Sequence, residues 1–190
     1  GKKLKSPGGI SNNDYAANFA DFLAQRPQGQ PFSFWYGATE PHRGFQKGIG
    51  REQGMDPRRV QVPSFLPDTP EIRDDLLDYG FEIQWFDQHL GRMLSLLEEQ
   101  GELHNTLVIV TSDNGMPFPR CKATLYDTGT RVVHGSMMNR VAVDVPVTVR
   151  GGTSRSTSTI ASAMTGPWAS SAVYALSGPR AKRPLPSFRY

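Results

Sequence analysis

The chain has 190 residues, 37% of them hydrophobic and 21% charged, with a formal net charge of +3. That length suffices for one ordinary domain with a real core, and no run approaches the roughly 18 apolar residues of a membrane span. With Cys121 as the only cysteine, an intrachain disulfide is excluded.

Gly1-Lys2-Lys3-Leu4-Lys5 has neither an initiator methionine nor the apolar centre of a signal peptide, and reads as an internal start. Residues 1–13 are rich in Gly, Ser, Asn and Lys, and read as loop. From Asp14 to Gln25, Tyr15, Phe19, Phe22 and Leu23 recur at helical spacing. Pro27, Gly29 and Pro31 end that helix, and Phe32-Ser33-Phe34-Trp35-Tyr36 follows as an aromatic strand. After the strand come Thr39-Glu40-Pro41-His42-Arg43-Gly44, so a histidine is delivered just past a strand end. Residues 44–70 are irregular, and connections this long are often functional rims.

The strongest periodic signal comes next. Thr69 is a plausible cap and Pro70 suits a first turn. Ile72, Leu76, Tyr79, Ile83, Phe86, Leu90, Met93 and Leu97 then recur at alternating steps of three and four. Gly101 closes the helix as a C-cap candidate. Asp87, inside it, reads as a packing or capping partner. Leu107-Val108-Ile109-Val110 is a short, mostly β-branched run that reads as a strand buried on both faces.

Strand, long helix and strand make a βαβ unit, in which the strands are parallel and the crossover right-handed. The two strands would then end on one edge of a sheet, so that His42 and the residues after Val110 share a cleft. Those residues are Thr111-Ser112-Asp113-Asn114-Gly115. A carboxylate and an amide oxygen at a strand's carboxyl end suit a hard cation such as Ca²⁺ or Mg²⁺. The same tripeptide also suits a plain tight turn.

Ser112-Asp113-Asn114-Gly115 after a strand, then Lys122, then Thr128-Gly129-Thr130-Arg131, resembles the sulfatase family of the alkaline phosphatase superfamily. Met116-Pro117-Phe118-Pro119 looks most like its sulfamidase branch, and the resemblance covers roughly residues 10–132. It implies a parallel-sheet, alkaline-phosphatase-like α/β fold and hydrolysis of sulfate esters or sulfamates in sulfated small molecules or glycans. It further implies Asp113 and Asn114 as metal ligands, with His42 and Lys122 as catalytic, sulfate-contacting groups. Calcium and a formylglycine made from Cys or Ser in a Cys/Ser-x-Pro-x-Arg motif belong to the family. That motif is not in this sequence, since Cys121 is followed by Lys122-Ala123-Thr124. The family's paired aspartates on its first strand have no counterpart either. The expectation is therefore part of a catalytic domain at residues 1–132, inactive as this chain alone. The family resemblance also implies a periplasmic, extracellular or lysosomal setting. A phosphodiesterase or phosphatase of the same superfamily and a non-catalytic vestigial binding protein are the alternatives.

From residue 133 the resemblance fails. Val141 to Val149 alternates weakly, as a strand would, while Gly151 to Ala163 is Gly, Ser and Thr rich and reads as linker or disorder. So abrupt a change also suits a shifted reading frame. Seven Lys or Arg and one acid lie from Val132 onward, which leaves −3 in the front and +6 in the tail. The tail lacks aromatic interleaving and any nucleic-acid motif, so neither nucleic acid nor membrane is expected as a partner.

Overall fold

A computed structural model describes residues 1–130 and, beyond them, the backbone of three strands at 143–149, 152–158 and 172–177. Helix α1 spans Tyr15–Gln25, and the Asp14 side chain caps it by accepting from the Ala17 amide at 3.0 Å. Strand β1 is Ser33–Gly37, followed by a single-turn helix α2 at Ile49–Glu52. Helix α3 runs unbroken from Pro70 to Glu99, and Thr69 caps it through the Ile72 amide. At its other end Gly101 takes a left-handed φ of 64°, while the Glu102 amide donates to the Leu97 carbonyl at 2.8 Å. A β-carbon strains that conformation, which is why glycine stops the helix here. Strand β2 is Thr106–Thr111, and the short helix α4 covers Asp127–Thr130.

Helices α1 and α3 bury one apolar stripe each against the two strands. Phe19 and Leu23 of α1 meet Phe86, Leu90, Met93 and Leu97 of α3 over Tyr36, Val108 and Val110. Tyr36 stacks on Phe86 with ring centroids 4.8 Å apart. Each such side chain removed from water contributes about 2 kcal/mol. In β2, Val108 and Val110 are buried, whereas Leu107 and Ile109 are half-buried. Among the described residues, then, only one face of this strand is fully covered.

Strand β3 (Val143–Val149) pairs with β4 (Gly152–Ser158) as an antiparallel ribbon. Strand β5 (Ala172–Ser177) lies between β1 and β2, antiparallel to both. This departs from the parallel sheet expected, because both described pairings of the central strand are antiparallel. Strand β4 also lies within Gly151 to Ala163, the segment whose composition reads as linker or disorder. The remainder of that tail lies outside the described residues. One relation expected from the βαβ unit is nonetheless visible in the register. Tyr36 and Val110 both oppose Val173, and Gly37 and Thr111 both oppose Ala172. Strands β1 and β2 therefore run in the same direction and end level with each other.

Candidate active site

The loop after β1 is held by buried carboxylates. Glu40, 1% exposed, accepts from the Ser11 amide at 2.6 Å and the Thr39 hydroxyl at 3.0 Å, both through Oε1. Glu82, on the buried stripe of α3, accepts the His42 amide at 2.5 Å through Oε2. Burial holds the Glu82 carboxyl up at about 7; the His42 amide pulls the other way, and the Glu40 charge adds to the rise. Arg43 turns towards α3, where both guanidinium nitrogens bind Asp75 at 3.1 and 2.5 Å. Its guanidinium also covers Phe118, 4.9 Å from the ring centre.

The loop after β2 is held differently. Met116, Phe118 and Cys121 are buried against Tyr79 and Leu76 of α3. Phe118 meets Tyr79 edge-on at 5.7 Å. Gly115 donates to the Gly129 carbonyl at 3.0 Å, and a β-carbon on it would lie 2.0 Å from the Thr128 carbonyl oxygen. Only glycine allows the Asp113-Asn114-Gly115 turn to lie this close to the Thr128-Gly129 backbone. The Lys122 amide donates to Met116 at 3.0 Å, so the apolar plug folds back and the lysine side chain leaves it outwards.

Between the two loops is a cleft of about 510 Å³ whose walls include Trp35, Glu40, His42, Glu82, Asp113 and Lys122. His42, Asp113 and Lys122, expected at a site on sequence grounds, are therefore neighbours of one space. Asn114 is half-buried and does not line it. A larger cleft of about 740 Å³, walled by Met55, Arg59 and Leu76 among others, contains none of the expected site residues. Cys121 is fully buried and donates to the Pro119 carbonyl at 3.5 Å. Burial raises its thiol above the ordinary range, against a bond from Thr128, so it is a packed residue and not a nucleophile.

For a hard cation, Asp113 and Asn114 offer the right donor chemistry but too few donors. Calcium takes roughly six to eight oxygens, and no cluster of three or more metal-binding side chains exists among the described residues. These residues do not by themselves fit a resident ion. Glu40 and Glu82 are the cleft groups not singled out from sequence. The available signal was an acid at position 82, three residues after Tyr79 and four before Phe86, squarely on the apolar stripe of α3.

No helix among the described residues is long and apolar enough to cross a membrane. The sulfatase family model matches residues 2–139, somewhat beyond the span read from the motifs at either end. Human N-sulphoglucosamine sulphohydrolase is 35% identical over 127 residues, which are 56% of this chain and 25% of that protein. An ulvan-active sulfatase of Formosa agariphila is 29% identical over 94 residues, 50% of this chain and 16% of that protein. The chain thus spans about a quarter, or less, of the length of these relatives. No solved structure matches it. With the family's pattern covering most of its length, and the Asp113 and Lys122 segments folded around one cleft with His42, the chain belongs to the sulfatase family.

Proposed function

We propose that this chain forms the sulfate-facing part of a sulfatase active site in an alkaline-phosphatase-like core, acting on a sulfated small molecule or glycan. The observation that carries the reading is the shared cleft of His42, Asp113 and Lys122 at the level ends of β1 and β2. The imidazole of His42 and the ammonium of Lys122 donate hydrogen bonds to sulfate oxygens, and these bonds stabilise the charge that spreads over those oxygens as the ester or sulfamate bond breaks. Asp113 and Asn114 are the residues offered to Ca²⁺ or Mg²⁺, with the rest of the shell and the formylglycine supplied from outside these 190 residues.

The first substrate to test is N-sulfoglucosamine, by analogy with the activity named for the human relative; an O-sulfated sugar is the comparison. The 190-residue chain should show no turnover of either. It should bind Ca²⁺ only weakly, since ligand number and charge set affinity, and Asp113→Ala should abolish that binding. A chain joined to a segment carrying the formylglycine motif and the family's remaining metal ligands and strands should gain turnover. His42→Ala or Lys122→Ala should then lower it by about a hundredfold or more. Turnover by the short chain that survives Cys121→Ala yet depends on Asp113 would mean another mechanism.

A further inference from the structure

Two carboxyls are set into the wall of the cleft, Glu40 at 1% and Glu82 at 0% exposure. Each is satisfied on one oxygen only: Oε2 of Glu40 and Oε1 of Glu82 have no hydrogen-bond partner. Neither takes part in any of the ion pairs among the described residues. Two ionised carboxylates sealed in one wall repel each other, and both would repel an anion beside them. A protonated carboxyl does the opposite, because its O–H donates to an anionic oxygen.

We propose that Glu82 is a further anion-binding group of this cleft, donating a hydrogen bond from Oε1 to a sulfate oxygen. The inference rests on the sulfatase reading given above. Protonation at Oε1 leaves Oε2 free to keep the His42 amide, so the group can hold the loop and contact the anion together. The proton comes from solvent or buffer and adds to Oε1, and no other covalent bond changes. Burial of Glu82 and the charge of Glu40 both favour the neutral form. The titratable and charged groups around the pair are His42 on the same loop and Asp113 and Lys122 across the cleft. Tyr36 beneath and His89 on α3 also feel the Glu40 charge.

The test is calorimetric titration of the full 190-residue chain with inorganic sulfate, between about pH 5.5 and about pH 8.5, in two buffers of different ionisation enthalpy. Sulfate binding should take up close to one proton above about pH 7, and affinity should fall roughly tenfold per pH unit there. Glu82→Gln, whose amide donates at every pH, should bind sulfate with no proton uptake and a flat profile. Histidine is the other side chain able to link a proton to the anion in this range, so His42→Gln is the control and should retain the uptake. Should Glu82→Gln fail to fold, the proton counts of the wild-type chain and of His42→Gln decide. Sulfate bound without proton uptake, or uptake lost only in His42→Gln, overturns the role of Glu82 and leaves the sulfatase reading intact. No sulfate binding at any pH overturns both.

Discussion

The two loops that meet at the cleft are fastened by opposite kinds of chemistry. The His42 loop is tied by acceptors, Glu40 and Glu82, each buried with an oxygen to spare. The Asp113–Lys122 loop is tied by an apolar plug of Met116, Phe118 and Cys121, with glycine contacts behind it. Both rest on the same helix, α3. The first fastening is directional and sensitive to protons; the second is non-directional and sensitive to volume. A site that must hold an anion gains accuracy from the first and rigidity from the second.

The widest separation of the two should come from Phe118→Ala. Emptying that position should cost about 3 to 5 kcal/mol, visible as a lower urea midpoint by the same amount at acid and neutral pH. Glu82→Gln should do the reverse and act only through pH. The folded-state value of Glu82, about 7, lies above its ordinary 4.5. Its contribution is therefore complete below about pH 4.5 and is lost as pH rises through 7. The wild type should lose on the order of 3 kcal/mol across that window, and the variant should not. Parallel pH profiles for the two proteins would contradict this account.

Arg43 sharpens the contrast, because it leaves the first loop and covers Phe118 of the second. A double-mutant cycle of Arg43→Ala and Phe118→Ala should give a coupling of about 0.5 to 1 kcal/mol. Additive losses would show that the loops are fastened independently. The smallest effect on folding belongs to Lys122→Ala. Its side chain is exposed, so stability should stay within about 0.5 kcal/mol, while sulfate affinity measured by calorimetry should drop by about tenfold.

The local signals in the sequence carried far. Thr69, Pro70 and Gly101 mark the ends of α3 because caps depend on neighbours within a turn. Asp14 caps α1 for the same reason. The relative direction of β1 and β2 was legible because a crossover helix constrains it. Strand β5 was not, since Ala172–Ser177 is placed by pairing with residues 61 to 143 positions earlier. Asn114 and Asp113 look equivalent as a pair of oxygen donors, yet a tight turn sends adjacent side chains different ways, and only Asp113 reaches the cleft. The partners of Arg43, Asp75 and Phe118, come from distant segments, so no local pattern marked them. Glu82 escaped notice because the stripe of α3 was read by its apolar members alone.

The same stripe has a consequence for how this chain can vary in length. Asp78 accepts from the Gly48 and Gly50 amides, Glu82 from the His42 amide and His89 from the Ala16 amide. Three separate segments are thus hung at set heights along about 16 Å of one helix. One residue inserted before Asp78 in α3 would turn everything upstream of it about 100° relative to these acceptors, parting the helix's first turns from the plug that Leu76 supports. One inserted between Asp78 and His89 would pull the anchors themselves out of step. The irregular stretch before Thr69 is held at fewer points: the Pro57 and Val60 carbonyls accept from Arg73, and Leu66 is buried with Leu76 and Tyr79. Viable length variants of this chain should therefore collect before Thr69, away from Pro57, Val60 and Leu66, and α3 should keep its thirty residues.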